Sequence, residues 1–151
     1  MINCTDHHAC QARALHQAES LCQHHGARLT PLRRRVLELI WSSHTAVKAY
    51  DLLAQLSTED HAAKPPTIYR ALDFLLAQGL VHRVDSINAY VGCIHPESPH
   101  DVRLLICQHC GQVTELIESA LDTQLLEALA AIKFRPTLTY LEVQGVCMNC
   151  Q

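Results

Sequence analysis

The sequence predicts an α+β fold in two parts, a winged helix-turn-helix followed by a small α/β domain. Three observations predict this fold. Apolar residues recur at helical spacing in successive segments of the first half of the chain. Two strand-like runs then flank a turn, and two Cys-x-x-Cys pairs follow in the last third. Helices followed by a hairpin make a winged helix-turn-helix, and paired thiols are typical of a small domain held together by a metal ion.

Helical periodicity and capping residues predict the helices. A first helix at about residues 11–25 follows a polar segment, residues 1–10, which we expect to be a flexible tail. A second helix begins at Thr30 and Pro31, because threonine can cap free amides and proline suits the first helical position. Two further helices are predicted at about residues 49–56 and 65–78.

The hairpin and the second domain follow from shorter patterns. Strand-like residues 80–85 and 89–93 surround a turn and predict the wing, which ends the winged-helix domain at residues 11–93. Residues 94–101 contain two prolines and no periodicity, and they predict a linker. The domain at residues 102–151 is predicted to contain strands near 103–106, 112–116 and 137–143, and a helix at about 119–132.

Composition limits the class of protein. Hydrophobic residues make up 48% of the chain, so a packed core is expected and global disorder is not. The longest apolar runs are too short to span a bilayer, and the first residues show no signal-peptide pattern. We therefore expect a cytoplasmic protein without a membrane partner.

The net charge of −3 conceals a basic segment. Within residues 27–50, five basic side chains face one acidic residue, Glu38. Such a local patch is what contact with phosphates needs, whatever the charge of the whole chain.

Two thiol pairs carry the strongest chemical signal. Cys107 and Cys110 form one Cys-x-x-Cys pair, and Cys147 and Cys150 form another, with 36 residues between them. Two such turns brought together give the closed tetrahedral sulfur shell of structural zinc. A redox dithiol and a pair of disulfides are the alternatives. A thioredoxin-like motif needs only one pair, and the βαβ pattern that surrounds it is missing here.

A second, dispersed set of side chains could also bind metal. Read alone, each has an ordinary explanation as a surface, core or solvated residue, and their spacing does not select a set. A thiolate, imidazoles and a carboxylate together would suit tetrahedral Zn²⁺, whereas sulfur makes Mg²⁺, Ca²⁺ or Mn²⁺ a poor fit. A filled shell leaves no open position for catalysis. The candidates are His82, Cys93, His95, His100, Asp101 and Glu115.

Several sequence blocks resemble the ferric uptake regulator superfamily and, within it, the zinc uptake regulator branch. They are RLTP at residues 28–31, AYDLL at 49–53, KPPTIYRALDFL at 64–75 and GLVHRV at 79–84, together with both thiol pairs. The resemblance extends from about residue 11 to residue 150. Iron-sensing relatives carry a denser His/Asp cluster before the first thiol pair, of which only His100 and Asp101 remain here.

The resemblance implies a DNA-binding domain followed by a dimerisation domain. It implies a homodimeric repressor that binds palindromic operators of zinc-uptake genes when loaded with zinc, and not an enzyme with a small-molecule substrate. Two zinc ions per protomer are implied, one structural and one regulatory. The structural ligands would be Cys107, Cys110, Cys147 and Cys150, and the regulatory ligands His82, Cys93, His100 and Glu115.

Residues that would contact DNA are predicted on the second to fourth helices. Arg70 lies about 200° around the helix from Ile68 and therefore faces outward, where it could read guanine O6 and N7. Arg33, Arg34 and Arg35 would contact phosphates, although a solvated helix face is the alternative. Tyr50, Thr67 and Tyr69 would contact the DNA backbone or base edges.

Three other functions stay open at this point. The same fold could sense iron, manganese or peroxide. A thiol oxidoreductase could use one of the thiol pairs, and a zinc-storage protein would bind metal but no operator. A third metal site in the N-terminal Cys/His cluster also remains open.

Overall fold

The computed structural model describes residues 6–59, 64–98, 100–117, 119–137 and 139–151. They form helices α1 (His7–His24), α2 (Pro31–Ile40), α3 (Ala49–Glu59), α4 (Pro65–Ala77) and α5 (Ser119–Ala131). The strands are β1 (Val81–Val84), β2 (Ala89–Gly92), β3 (Val102–Cys107), β4 (Val113–Glu115) and β5 (Tyr140–Gly145). Short 3₁₀ turns lie at Asp85–Ile87 and Met148–Cys150. This order confirms the predicted winged helix-turn-helix followed by a small α/β part.

Helix α1 begins earlier than predicted. The Asp6 side chain accepts a hydrogen bond from the backbone N–H of Ala9 at 3.1 Å and caps the helix, so His7 is its first residue. Residues 7–10, predicted to belong to a flexible tail, are therefore helical. Residues 1–5 of that predicted tail lie outside the described residues.

Two other element boundaries differ from the prediction. Helix α3 continues to Glu59, beyond its predicted end near residue 56, and the hydroxyls of Ser57 and Thr58 donate to carbonyl groups of the preceding turn. Strand β5 begins at Tyr140, not near residue 137, because its ladder starts opposite Val102 at the beginning of β3. These boundaries are set by hydrogen-bond partners, which periodicity does not show.

A helical core holds the first part of the chain together. Helices α1 to α4 enclose a cluster in which Leu37, Ile40, Leu52, Leu72 and Leu75 are almost completely buried. The apolar stripe of α4 faces this core, so the opposite side of that helix faces solvent. None of the described helices is both long enough and apolar enough to cross a membrane.

A second core joins the wing to the C-terminal sheet. Strands β1 and β2 form an antiparallel hairpin, and the other sheet has the order β4-β3-β5, with β5 parallel to β3. Val84 of the wing packs with Leu104, Ile106 and Val113 of that sheet. The two strands of the wing are therefore hydrogen-bonded to each other, and the wing packs against the C-terminal sheet through apolar side chains.

The wing also packs closely against the helical core at Gly92. A Cβ atom at this position would lie 2.2 Å from Cε2 of Trp41, a distance that no side chain tolerates. Gly92 also pairs with Val81 in the hairpin, so its backbone has little freedom to move away. Only glycine allows the strand to lie on the indole ring.

We expect Gly92→Ala to lower the free energy of unfolding by about 1–3 kcal/mol, the usual cost of forcing an extra carbon into a packed site. Chemical denaturation would measure the change. Gly145→Ala is the matched control, because a Cβ there meets no atom within 4 Å. Equal stability of the two variants would show that the contact with Trp41 does not constrain residue 92.

Candidate metal centres and nucleic-acid interface

The two thiol pairs meet because the strands that precede them are parallel neighbours. Cys107 ends β3 opposite Gly145 of β5, and Cys147 follows two residues later, so both pairs lie at the same edge of the sheet. The Sγ atoms of Cys110 and Cys147 are 3.8 Å apart. Two Zn–S bonds of about 2.3 Å at the tetrahedral angle place sulfur atoms about 3.8 Å apart. The four thiols therefore fit one zinc ion.

Backbone amides stabilise the thiolate form within this cluster. N–H groups of Cys110 and Cys147 point at Cys107 and lower its pKa to about 5. The N–H of Cys147 lies 3.3 Å from Cys107 Sγ. All four sulfur atoms lie within 4.8 Å of one another, and the four residues are free cysteines. His109, between the first two thiols, is exposed and its side chain does not belong to this cluster, although its backbone also helps to lower the pKa of Cys107.

The second cluster brings together side chains from three segments. His82 lies on β1 and Cys93 follows β2, His100 comes from the segment after the wing, and Glu115 ends β4. Oε1 of Glu115 lies 3.1 Å from Nε2 of His82 and 2.5 Å from Nε2 of His100. Cys93 Sγ lies 3.7 Å from that same His100 nitrogen. All four ligand atoms lie within 4.8 Å of one another.

The pKa values of the two acidic groups in this cluster are shifted in opposite directions. Burial raises the pKa of the Cys93 thiol to about 12. Burial alone would also raise the pKa of Glu115, but the hydrogen bond from His82 and the charges of His82 and His100 lower it below its ordinary value. One sulfur, two imidazole nitrogens and one carboxylate oxygen fit tetrahedral zinc, which can displace the thiol proton.

The structure separates the remaining metal candidates from this cluster. His95 Nδ1 lies 3.4 Å from a Glu97 oxygen, and Asp101 lies 3.9 Å from Arg103. Neither belongs to the metal-competent groups found among the described residues. One further contact has no signal in the sequence: the N–H of Ile94 donates to Glu115 Oε2 at 3.3 Å and fixes the carboxylate.

The outward face of α4 carries the predicted DNA-reading residues. Ile68 is 1% exposed, whereas Thr67, Tyr69 and Arg70 all face solvent. Tyr50, at the start of α3, is 78% exposed. These side chains are therefore accessible to a ligand that lies along α4.

The arginines of α2 have partners within the chain. The Arg33 guanidinium lies 3.6 Å from the centre of the Phe74 ring and donates to the carbonyl of Arg28. Arg34 and Arg35 share Glu38 at 3.0 Å, and Arg34 also pairs with Glu19. These ion pairs offset part of the basic patch. They are partly exposed and therefore weak enough for phosphate to compete with them.

Helix α5 and strand β5 leave a broad apolar surface uncovered. Helix α5 is held to the sheet by an ion pair between its Asp122 and the buried Arg103 of β3. Its apolar side chains nevertheless remain exposed, as do those that follow it. This surface, called here the α5–β5 face, consists of Leu121, Leu125, Leu126, Ile132, Phe134, Leu141 and Val143.

Solved structures of similar proteins reproduce this arrangement to different extents. A zinc uptake regulator complexed with zinc and DNA superposes with a TM-score of 0.86 at 40% identity, over 93% of this chain and 94% of that chain. Holo XcZur gives 0.80 at 43% identity, over 90% of this chain and 95% of that one. Apo XcZur gives 0.56 at 41% identity, over 93% and 97%.

Sequence comparison also finds a zinc uptake regulation protein. The zinc uptake regulation protein of Escherichia coli (strain K12) is 41% identical over 137 residues, which cover 90% of this chain and 80% of that protein. The model of the ferric uptake regulator family matches residues 24–144. This match includes the helix-turn-helix, the wing, the second metal cluster and the first thiol pair. The chain therefore belongs to the ferric uptake regulator family.

Proposed function

We infer that this chain is a zinc-responsive transcriptional repressor that binds palindromic operators of zinc-uptake genes when it is loaded with zinc. The observation that carries this inference is the second metal cluster. Its ligands come from the wing, from the segment after the wing and from the C-terminal sheet. An ion bound there would fix the position of the DNA-reading helix relative to the rest of the chain.

Two zinc ions per protomer are proposed, with different tasks. Cys107, Cys110, Cys147 and Cys150 would hold a structural ion, because all four ligands belong to one sheet edge and its turns. His82, Cys93, His100 and Glu115 would hold a regulatory ion. Zinc supplies four tetrahedral bonds in each case, and a closed shell offers no open position for catalysis.

The regulatory step follows from where the ligands lie. The proposed DNA-binding domain ends at residue 93, and the proposed linker at residues 94–101 leads to the proposed dimerisation domain at 102–151. Ligands on both sides of the linker bind one ion only when the two domains take one arrangement. That arrangement sets the separation of two recognition helices, which must match successive major-groove half-sites. Linkage then requires operator DNA to raise the affinity for zinc by the same factor.

The comparison structures support this reading. Holo and apo XcZur have similar identity to this chain, yet the holo form superposes far better. The arrangement described here is therefore the one seen in a metal-loaded relative. The zinc and DNA complex of another relative superposes better still.

We propose that Arg70 reads a guanine edge and that Tyr50, Thr67 and Tyr69 contact the backbone or neighbouring bases. All four are exposed on the side of the helices away from the core. Arg33, Arg34 and Arg35 would contact phosphates by exchanging their internal partners for the DNA backbone.

A second copy of this chain is the proposed occupant of the α5–β5 face. Many exposed apolar side chains on one helix and the strand that follows it are typical of an obligate dimer interface. Two-fold symmetry would pair this face with itself and place two recognition helices on one palindrome. A DNA-binding role would place the dimer in the cytoplasm.

The alternatives differ from this proposal in their chemistry. The sulfur ligand Cys93 disfavours a manganese sensor, and only His100 and Asp101 remain of the denser His/Asp cluster that iron-sensing relatives carry. A thiol oxidoreductase would need an accessible dithiol, whereas all four thiols here converge on one point. We expect no catalytic activity and no small-molecule substrate. A zinc-storage protein would bind zinc without any affinity for an operator.

Replacing Cys147 with Ser should remove one zinc ion per chain and unfold or monomerise the C-terminal domain. Zinc binding at such a site supplies about 10–16 kcal/mol of folding free energy. Metal analysis and measurement of the molar mass in solution would check this. Cys22→Ala is the control, because Cys22 is buried in the helical core, outside both clusters. A zinc-free Cys147→Ser dimer of normal stability would contradict the structural role.

Replacing Cys93 with Ser should leave a folded dimer that retains its structural zinc but no longer binds the operator in response to zinc. The lost coupling should amount to about 1–3 kcal/mol. Operator affinity across buffered free zinc is the measurement, with His95→Ala as a control on a histidine outside the cluster. If Cys93→Ser responds with the wild-type amplitude and midpoint, the sensing site lies elsewhere.

Replacing Arg70 with Ala should relax sequence discrimination by about 1–3 kcal/mol, the value of one bidentate base contact. Arg34→Ala should instead leave discrimination intact and reduce the salt dependence of binding, by about 0.9 in the log–log slope for one phosphate. Binding to operator and scrambled DNA over a range of salt concentrations separates these effects. An equal loss on both DNA sequences for Arg70→Ala would assign Arg70 to the phosphates.

A further inference from the structure

Strand β5 touches the wing through two side chains that neither metal cluster uses. Tyr140 and Glu142 are two residues apart on this strand, so their side chains lie on the same face of the sheet. Glu142 meets the wing at the 3₁₀ turn Asp85–Ile87, which joins β1 to β2, and Tyr140 meets it at Arg83 on β1.

The Glu142 carboxylate caps this turn. Its Oε1 accepts from the backbone N–H of Asp85 at 2.5 Å, and its Oε2 accepts from that of Ser86 at 3.0 Å. The first N–H groups of a helical turn have no acceptor within it, and a carboxylate is a strong acceptor for them. Burial alone would raise the pKa of Glu142, but hydrogen bonds from Ser86 and Asp85 lower it below its ordinary value. The carboxylate therefore binds the turn as an anion.

Tyr140 adds a second polar contact at the same place. Its hydroxyl contacts the carbonyl oxygen of Arg83 on β1 and lies 3.1 Å from Oε1 of Glu142. Arg83 in turn pairs with Asp85 at 3.0 Å. Val84, between them, packs in the second core with residues of β3 and β4. Polar and apolar contacts therefore both hold the wing against the C-terminal sheet.

These contacts join the same two elements that the second metal cluster joins. The wing hairpin carries His82 and leads into Cys93, whereas the sheet carries Glu115. A contact that holds the wing against the sheet in the absence of zinc brings the zinc ligands together in advance. Less free energy is then spent on ordering the wing when zinc binds, so the affinity for zinc rises.

We propose that Tyr140 and Glu142 form a wing latch, a pair of positioning residues that sets the free-zinc concentration at which this protein binds its operator. The latch rests on the proposed function, since it acts through the regulatory zinc site. It contributes no zinc ligand and no DNA contact. It acts only on the equilibrium between the wing lying against the C-terminal sheet and the wing separated from it.

The test compares wild type with Glu142→Gln in operator binding across buffered free zinc. Glutamine keeps the shape of the side chain, but it loses the charge and one of the two acceptor oxygens. Because a charge-assisted hydrogen bond is lost, we expect the midpoint to move to about tenfold higher free zinc. Operator affinity at saturating zinc should stay unchanged. Zinc affinity without DNA, measured by chelator competition, should fall by the same factor.

Two further variants and one spectroscopic measurement make the test specific. Glu127→Gln removes the same charge from an exposed position on α5 and should keep the wild-type midpoint. Tyr140→Phe removes only the hydroxyl and should shift the midpoint in the same direction by a smaller factor. In zinc-loaded protein, the amides of Asp85 and Ser86 should exchange hydrogen faster in Glu142→Gln than in wild type, because their acceptor is weakened.

The outcomes separate the latch from the proposed function. A wild-type protein without any zinc dependence would overturn the proposed function, and the latch with it. A zinc-dependent wild type with an unchanged midpoint in Glu142→Gln would overturn the latch alone. Equal loss of affinity at every zinc concentration would also overturn it, since it would show a merely structural role. If Glu142→Gln fails to fold, an unchanged midpoint in Tyr140→Phe overturns the latch.

Discussion

Strand β3 pairs with β5 on one side and with β4 on the other, and both metal clusters depend on these two ladders. The parallel ladder with β5 aligns Val102 with Tyr140 and Cys107 with Gly145, which brings the two thiol pairs to one edge of the sheet. On its other side, β3 pairs with β4 and places Glu115 opposite Leu104, under the wing. The central strand therefore positions the thiols at its end and the carboxylate along its flank.

The two clusters differ in how much of the chain must be ordered before they can form. The four thiols belong to one sheet and two tight turns, so the fold of the C-terminal part alone brings them together. The second cluster also needs the hairpin register and the packing of Val84 on the sheet. Few apolar residues hold the wing there, and contacts of this size are easily reversed. Because less of the chain must be ordered to form the four-thiol cluster, that cluster suits a permanent ion, and the second cluster suits an exchangeable one.

Local signals predicted the parts of the fold that local interactions determine. Thr30 caps α2 by accepting from the N–H of Arg33, as its position before Pro31 indicated. The cap at Asp6 was missed because polar residues follow it and no apolar period marks the helix start. The start of β5 depends on where β3 begins, and a single strand carries no sign of its partner.

The metal residues illustrate the same division. Each Cys-x-x-Cys pair supplies two of the four ligands within four consecutive residues, so the spacing of the cysteines was enough to predict the cluster. His82, Cys93, His100 and Glu115 had to be chosen by resemblance, because their proximity arises from the docking of the wing. The contact of Glu142 with Asp85 and Ser86 had no signal at all, since backbone amides are the same in every residue.

The packing of Gly92 on the indole of Trp41 has a practical consequence for optical work on this protein. Trp41 is the one tryptophan in the chain and is 8% exposed, and its ring forms an edge contact with His44. Residues of the wing and Glu115 of the second metal cluster line the small cavity beside it. Leu104 and Val113 of the C-terminal sheet line this cavity too, so movement of the sheet away from the wing would admit water beside the ring and change its emission. The intrinsic fluorescence of Trp41 would therefore report whether the C-terminal sheet lies against the wing, without any attached label.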